Sequence, residues 1–548
     1  MSSSKKKQLR KEQYMTERQA EAAKEAKKLK GYTLTFCVVI ALVLSIFVGA
    51  IVSNPIKNVV YKNTVAMTVG EHKLSAVEVN YYFIDTVNSY VNQYGDYISL
   101  IMDVKTPLDK QIINAENGTT WADSFMSSTE NTIKSTYALY DLAIEAGHEL
   151  TEAEKTSITS TISTFALYAA YYGYNSLDDY LRAVYGNGAT EKSYRNYLEV
   201  SALANSYMTA YSETLEYTDD QMLQYQANEP YKYNSYTFAY YLLKAESFYK
   251  GGVTGEDGKT TYSDTEKAAG LAKAEVTAKL LAEGKYEDIL AFNNAIKALE
   301  VNKENASANA TSYYDAVYDE ISTLFQDWLI GKVAGADENA EPTFEERKPG
   351  DMTVIPYTTG SGENETTLGY YVVRFDSCTD NNFAMKNVRH ILIKFTGGTT
   401  NSSTGTTTYS DQEKQAAKEE AESILANWVK NGDLSEESFA DLAKEHSDDN
   451  AEAGGLYEDI YPGQMVTNFN DWCFDAERKV GDYGIVETEY GYHIMYFVGD
   501  SETTFRNYMI KNVMMNEDMD KWYEEVVNSI ELTVLNTKHV PTDMALSH

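Results

Sequence analysis

The sequence predicts a multidomain α+β protein with a single transmembrane helix, a mostly helical domain after it and two tandem α+β modules. Three observations predict this architecture. The chain has 548 residues, which is too long for one hydrophobic core. One uncharged segment near the N-terminus is about as long as a bilayer-spanning helix. A fixed order of sequence segments occurs twice in the second half of the chain, which indicates a duplicated domain.

The N-terminal region has the pattern of a membrane anchor. Residues 1–30 form a basic tail, and residues 31–53 carry no charged side chain. Because basic flanks stay on the cytoplasmic side, we expect the N-terminus inside the cell and the bulk of the chain outside the cell membrane. A cleaved signal peptide is the alternative, although no small-x-small site follows the apolar run. Cys37 lies at the start of that run, which argues against a lipoprotein signal.

The exported part of the chain is strongly acidic. The net charge is -35, and it is near -41 without the first thirty residues, which carry ten basic and four acidic side chains. Such a surface repels nucleic acid and anionic lipid, so we expect protein partners and no nucleic acid. Cys378 and Cys473 are too few for a disulfide scaffold, and whether they pair is left open.

The first exported domain, at 54–230, is predicted to be mostly helical. A strand-like start, VAMTVGEHKLS, precedes long amphipathic stretches such as 123–146 and 152–172. The C-terminal segment, at 501–548, contains an amphipathic helix and the strand-like IELTVL. Since this segment is too short to fold alone, we expect it to pack on the first exported domain.

The internal repeat defines two further domains, at 231–380 and 384–500. In the first copy TFAYYLLK precedes a Gly/Thr loop, a TTYSD helix start and FQDW; in the second copy VRHILIKF precedes the same series, ending in FNDW. Each copy predicts a strand, a loop, helices, a strand, a turn and a strand. This order is typical of a compact α+β unit.

The second copy resembles the parvulin family of peptidyl-prolyl isomerases. The segments that carry the resemblance are VRHILIKF, SFADLAKEHSDD, GGLYEDIYPGQMVTNF and VETEYGYHIMYF. It implies a four-stranded antiparallel sheet with surrounding helices and a shallow site for a proline on the sheet. The whole layout resembles the PrsA/SurA-type foldases of bacterial envelopes, which implies a chaperone role for the helical domain.

The resemblance also implies the site residues. It places four catalytic residues around the proline site, at His390, Asp449, Thr488 and His493. The apolar proline pocket falls on Leu456, Met465 and Phe469. Tyr457 departs from the family, in which many members have glycine at this position, so the rim of the pocket is expected to differ.

The chemistry of such a site requires neither a nucleophile nor a cofactor. The barrier to rotation about an X-Pro bond comes from amide resonance, and the uncatalysed reaction is slow. A dry pocket that grips the proline ring favours the twisted amide over the planar one. Hydrogen-bonded histidines set each other's tautomers and form the floor of such a pocket.

The same residues could also belong to other types of site. Taken singly, a strand histidine is more often a structural core residue than a catalyst. Two histidines with Asp449 also suggest a two-His-one-carboxylate metal site, but no short paired ligand motif is present, so no metal is expected. The loop 396–409 contains no Lys or Arg, so phosphate-specific recognition is not expected.

The first copy is expected to be degenerate. The repeat alignment places Tyr240 opposite His390 and Tyr371 opposite His493. We therefore expect this module to keep the fold, to lose most isomerase activity and to act as a peptide-binding surface.

For the whole chain the sequence predicts a peptidyl-prolyl cis-trans isomerase and chaperone. Its partners would be unfolded exported polypeptides that contain X-Pro bonds. The alternative is a non-catalytic holdase or envelope scaffold that uses parvulin folds only to bind peptides. A transporter or receptor subunit has little support, because the single span has no charged residue within it.

Overall fold

A computed structural model describes residues 55–255, 258–305, 307–333, 342–362, 365–402 and 404–546. The predicted basic tail at 1–30 and membrane span at 31–53 lie outside these residues. Within the described ranges, none of the helices combines the length and the apolar character that a bilayer crossing requires. The described residues form two compact units, one at 217–512 and one made of 55–216 and 513–546.

The unit at 55–216 and 513–546 packs helices around a three-stranded sheet. Val65–Val69 is the central strand, between His72–Ser75 and the C-terminal strand Leu532–Val534. The C-terminal end of the chain therefore completes the first sheet. A minor hairpin joins Ile112–Asn114 to Thr119–Thr120. The helices are Pro55–Asn63, Ala76–Tyr94, Ile98–Ile101, Trp121–Glu145, Glu152–Tyr171, Leu177–Tyr185, Glu191–Glu213 and, from Val513 onward, Phe505–Asn528.

Tyrosine provides much of the core of this unit. Tyr81, Tyr180 and Tyr185 are fully buried among aliphatic side chains. The hydroxyls of Tyr185 and Tyr197 donate to the two carboxylate oxygens of Asp85, at 3.2 and 2.8 Å. A tyrosine can be buried in this way because its hydroxyl keeps a hydrogen-bond partner.

The other unit begins with the helix Asp219–Asn228 and then contains two four-stranded antiparallel sheets. The strands of the first sheet, from one edge to the other, are Met352–Thr359, Thr366–Thr379, Ser235–Lys244 and Thr311–Val317. Its helices are Asp264–Ala282, Ile289–Ala298 and Thr323–Leu329. Two short hairpins accompany them, Val253–Thr254 with Thr260–Thr261 and Lys332–Val333 with Thr343–Phe344.

The second sheet repeats this strand order. Its strands, from the corresponding edge, are Tyr483–Glu487, Gly491–Thr504, Ala384–Lys394 and Leu456–Ile460. Its helices are Asp411–Asn431, Glu436–His446 and Thr467–Cys473, and a short hairpin pairs Thr399–Thr400 with Thr407–Thr408. The predicted mixed α+β architecture is confirmed in this part of the chain.

Equivalent capping boxes start the long helix of each module. Ser263 accepts from the backbone N–H of Glu266 while the Glu266 side chain accepts from Ser263, and Ser410 and Glu413 repeat the arrangement. A capping box satisfies two backbone donors that the first helical turn leaves unpaired. The repeated TTYSD segment thus sets the same helix start in both copies.

The two faces of the second sheet have different cores. Alternate side chains of a strand point to opposite faces. Ile391 and Ile393 pack against Trp428 of the helix Asp411–Asn431 and Phe439 of the helix Glu436–His446. The other face carries Val388 and its apolar cluster, which is Ile460, Phe469, Cys473, Val486, Met495 and Phe497. His390, two residues after Val388, lies on this second face.

Candidate functional site

His390 and His493 form a buried pair on the two central strands of the second sheet. Their Nδ1 atoms are 3.0 Å apart, and the rings are stacked with centroids 5.2 Å apart. His390 is 1% exposed and His493 is 5% exposed. A nitrogen pair at this distance requires one donor and one acceptor. The two Nδ1 atoms therefore share a single proton.

Burial keeps both imidazoles neutral. It lowers the pKa of His390 to about 4 and that of His493 to about 3. His390 lowers the pKa of His493 further, whereas the nearby carboxylate of Asp449 acts in the opposite direction. At neutral pH the pair offers hydrogen bonds and no positive charge.

Thr488 extends the pair on the His493 side. It lies in the turn between Tyr483–Glu487 and Gly491–Thr504. Its Oγ1 is 2.8 Å from Nε2 of His493 and accepts from the backbone N–H of Tyr490 at 3.2 Å. The backbone of the turn thus holds the Thr488 hydroxyl in place, and this hydroxyl in turn orients the imidazole of His493.

Asp449 approaches the pair on the His390 side. Its Oδ2 lies 3.5 Å from Nε2 of His390, yet that buried nitrogen makes no hydrogen bond within the described part of the chain. The contact is therefore electrostatic. A carboxylate here favours the His390 tautomer with the proton on Nε2. His493 then donates through its Nδ1 to Nδ1 of His390 and accepts from the Thr488 hydroxyl through its Nε2. Each hydrogen bond of the network therefore has a defined donor and acceptor.

Ser447 fixes the backbone at Asp449. Its Oγ accepts from the backbone N–H of Asp449 at 3.1 Å and donates to the Asp449 carbonyl at 2.6 Å. The same oxygen accepts from the backbone N–H of Leu392 at 3.1 Å. Leu392 is two residues from His390 on the same strand, so the carboxylate is placed relative to the imidazole.

Phe469 covers the histidine pair with an apolar wall. Its ring is 3% exposed, and its centroid lies 5.3 Å from that of His390 and 5.4 Å from that of His493, edge-on to both. Met465 is partly buried against the same cluster. The helix that carries Phe469 begins at Thr467, so Met465 precedes it and the two side chains are not the helical i,i+4 pair that their spacing suggests.

Two asparagines hold this segment in place. The side-chain oxygen of Asn470 accepts from the backbone N–H of Gly463 at 2.8 Å, which closes the loop that carries Met465. The side chain of Asn468 donates to the carbonyl of Glu487 at 2.7 Å, which ties the helix to the sheet edge. Sequence analysis missed both residues, although they flank Phe469.

A comparison with protein families identifies this arrangement. Residues 370–500 match the family model described as "PPIC-type PPIASE domain". This part of the chain is a PPIC-type PPIase domain. The resemblance to parvulin-type isomerases is thereby confirmed. The matched range begins within Thr366–Thr379, a central strand of the first sheet, and ends within Gly491–Thr504, the strand that carries His493.

Curated relatives share a short part of the chain. Foldase protein PrsA 1 of Listeria monocytogenes serotype 4b is 41% identical over 76 residues, which is 14% of this chain and 24% of the relative. PrsA 1 of Listeria innocua serovar 6a matches with the same values. The aligned segment therefore spans about a quarter of the length of these relatives.

Solved structures of PrsA also align with the chain. The structure from Bacillus subtilis is 13% identical, covers 79% of this chain and 98% of its own, and has a TM-score of 0.24. The peptidylprolyl isomerase PrsA from Bacillus anthracis is 20% identical, covers 27% of this chain and 59% of its own, and has a TM-score of 0.17.

The rim of the PPIase domain differs from expectation at Leu456. Leu456 pairs with Arg389, whereas Tyr457 pairs with Val388. Directly paired residues share a sheet face, so Leu456 lies on the face opposite His390. This register is at odds with the expectation that Leu456 lines the proline pocket. The residue on the His390 face is Tyr457, where the sequence departs from the glycine of many parvulins.

Tyr457 takes the place expected of Leu456. Its ring centroid lies 5.0 Å from that of His390, and its hydroxyl donates to Oδ2 of Asp449 at 3.1 Å. The PPIase domain thus has an aromatic residue and a carboxylate side by side at the edge of the site. Within the described ranges, no three His, Cys, Asp or Glu side chains are grouped as metal ligands would be.

The preceding module has tyrosines where the PPIase domain has histidines. The rings of Tyr240 and Tyr371 are 5.6 Å apart. Phe325 lies over both, at 4.9 and 5.3 Å, as Phe469 lies over the histidines. The first module therefore retains the aromatic cover, and its described residues show no hydrogen-bonded pair beneath it.

Proposed function

We propose that the chain is a peptidyl-prolyl cis-trans isomerase and chaperone that assists the folding of exported proteins at the outer face of the cytoplasmic membrane. One observation carries the catalytic part of this proposal. It is the network of two neutral imidazoles, His390 and His493, with Thr488 on one side and the Asp449 carboxylate on the other, beneath Phe469 in a PPIase domain. The curated relatives are named foldases, which supports the chaperone part.

The mechanism needs only noncovalent contacts. A proline ring held against Phe469 and Met465 is removed from contact with water. The X-Pro amide then loses the solvation that favours its planar, more polar state. Because both imidazoles are neutral, the floor offers directed hydrogen bonds to a rotating carbonyl without fixing it as a full charge would. No bond forms or breaks in the substrate, so no proton leaves the network.

The proposed site of action rests on the N-terminal sequence. The uncharged segment 31–53 behind a basic tail favours a single-pass anchor with the tail inside. The helical unit would hold unfolded exported chains while the PPIase domain isomerises their X-Pro bonds. Protease treatment of intact cells tests this topology: digestion of the PPIase domain without cell lysis is expected, and full protection would contradict it.

The enzymatic proposal is tested with the region from Asn54. Protease-coupled isomerisation of X-Pro tetrapeptides is expected to be catalysed by this region. A folded region that catalyses none of the peptides would contradict the isomerase. Suppression of aggregation by that same inactive region would support the non-catalytic holdase, which the tyrosine pair of the first module favours.

A further inference from the structure

Asp449 is held by contacts on both its backbone and its side chain. Ser447 hydrogen-bonds its N–H and its carbonyl, and Tyr457 donates to its Oδ2. Burial raises the pKa of Tyr457 to about 12, with a further contribution from Asp449. The phenol therefore stays protonated and remains a donor to the carboxylate. A fixed carboxylate loses less side-chain entropy on binding a ligand than a mobile one does.

The charge on Asp449 is not neutralised by a cation. None of the ion pairs among the described residues joins Asp449 to a lysine or arginine. Its carboxylate lies 3.5 Å from the imidazole of His390, which is neutral. The nearby ammonium of Lys394 donates to the backbone carbonyl of Asp448. The Asp449 side chain is 43% exposed, so a ligand can reach it from solvent.

Asp449 and Phe469 contact the same imidazole. Oδ2 of Asp449 is 3.5 Å from Nε2 of His390, and the Phe469 centroid is 5.3 Å from the His390 centroid. An extended peptide advances about 3.3 Å per residue. A proline ring against Phe469 therefore places a neighbouring residue within side-chain reach of Asp449.

Resting on the proposed isomerase function, we propose that Asp449, positioned by Tyr457, is an anionic subsite that selects a lysine or arginine next to the substrate proline. A cationic side chain there forms a charge-assisted hydrogen bond. A glutamate at the same place is repelled. Tyr457 acts as a positioning residue, since it holds the carboxylate toward the site.

The test compares substrate charge at both flanks of the proline. Two peptide sets carry Lys, Ala or Glu, one set before and one after the proline, and kcat/KM is measured with the region from Asn54. At one of the two positions we expect Lys to exceed Glu by roughly two- to fivefold at low salt, as for a partly exposed ion pair. The ratio should approach one in high salt, because salt screens exposed charges.

Three variants distinguish the subsite from general acidity. Asp449→Asn is expected to bring the Lys-to-Glu ratio to about one, because it removes the negative charge. Tyr457→Phe is expected to lower the ratio partway, because it removes the hydrogen bond that holds the carboxylate. Glu458→Gln is the matched control: it removes one exposed charge from the strand that carries Tyr457, and its ratio should equal that of the parent protein. An equal loss in Glu458→Gln, or a ratio near one in the parent at both positions, overturns the subsite.

Failure of the proposed function gives a different result. If none of the peptides is isomerised, including those with Ala, the result contradicts the proposed isomerase function but does not bear on the subsite. The same peptides are then titrated as ligands, and the ratio of Kd values for Lys and Glu tests the subsite by binding. If Asp449→Asn does not fold, Tyr457→Phe and the salt dependence of the parent decide the question.

Discussion

Tyr371 lies in the first sheet at the register position that His493 holds in the second. Tyr371 pairs with Leu242, and His493 pairs with Leu392. The neighbouring strand of each sheet carries the other member of the pair at the corresponding position, Tyr240 and His390. One backbone arrangement thus supports two side-chain chemistries, which makes the chain its own control for the role of the histidines.

Replacement of His493 should abolish most catalysis. His493→Ala removes the hydrogen bonds to His390 and Thr488, and we expect kcat/KM to fall by roughly tenfold or more, since a buried hydrogen-bond network contributes on the order of 1–3 kcal/mol. His446→Ala is the matched control, because this histidine lies on a helix of the same module and contacts Glu445. Equal activities of the two variants would contradict the catalytic role of the pair.

A single histidine should not restore the first module. Tyr371→His places one imidazole beside the ring of Tyr240. This imidazole has no second imidazole nitrogen to hydrogen-bond with, unlike His493, whose Nδ1 pairs with that of His390. We expect no activity above background in a His493→Ala background. Rescue by Tyr371→His alone would show that the hydrogen-bonded pair is not needed.

Truncation is expected to lower activity on one face of the second sheet and to leave it unchanged on the other. Met465→Ala should lower kcat/KM several-fold because Met465 packs in the cluster that contains Phe469, with a loss of unfolding free energy of about 1–2 kcal/mol, less than full burial would give. Leu456→Ala, on the other face, should leave kcat/KM near that of the parent protein. A larger catalytic loss in Leu456→Ala would contradict the observed register.

The histidine pair should make the second module less stable in acid. The folded pKa values, about 4 and about 3, lie below the unfolded value of about 6.5. The unfolded chain therefore binds more protons as the pH falls from 6.5 toward 4, and the stabilisation that is complete above pH 6.5 is lost in that window. Between pH 7 and 5 the loss is on the order of 2 kcal/mol for each histidine.

Hydrogen exchange of the strand Ala384–Lys394 measures this effect locally. Protection of its amides should fall from pH 7 to pH 5 after correction for the intrinsic exchange rate. The double variant His390→Gln with His493→Gln removes both titrating groups, so its protection should depend less on pH. The same pH dependence in the double variant would assign the effect to other groups.

Asp85 should have the opposite pH dependence in the N-terminal unit. Burial raises its pKa to about 6, against the hydrogen bonds from Tyr197 and Tyr185. Since the unfolded value is about 3.9, the folded state binds more protons between the two values, and its stability falls as the pH rises through this window.

The variant Asp85→Asn tests this directly. We expect its unfolding free energy, relative to that of the parent protein, to increase by roughly 2 kcal/mol between pH 4 and pH 6.5. Glu116→Gln, at an exposed loop position, is the control and should show no such change. Urea unfolding at the two pH values measures both, and a constant difference for Asp85→Asn would contradict the raised pKa.

Local signals predicted the fold of the second module well. The segments around His390, Phe469 and His493 carry strand alternation, a helix start and turn residues that do not depend on distant contacts. The repeat added a second line of evidence, because FQDW and FNDW place Phe325 and Phe469 over equivalent residue pairs. The resemblance to parvulins, carried by these same segments, implied that the two histidines lie together.

Leu456 shows where sequence analysis was insufficient. A one-residue shift in register moves a side chain to the other face of a sheet, and two glycines precede this strand. A Cβ atom on Gly455 would lie 2.0 Å from the carbonyl oxygen of His390, so glycine permits the close approach that sets the register. The pattern of residues around Leu456 contains no such distance information.

The sequence by itself determined the resemblance of the second module to the parvulin family and, through that resemblance, the identity of its paired histidines, because motif residues are local properties of the chain. Only the tertiary structure decided that Tyr457 faces His390, that Asp449 carries a fixed charge at the rim, and that Leu532–Val534 pairs with Val65–Val69. These features depend on strand register and on contacts between residues far apart in sequence, which one-dimensional patterns do not encode.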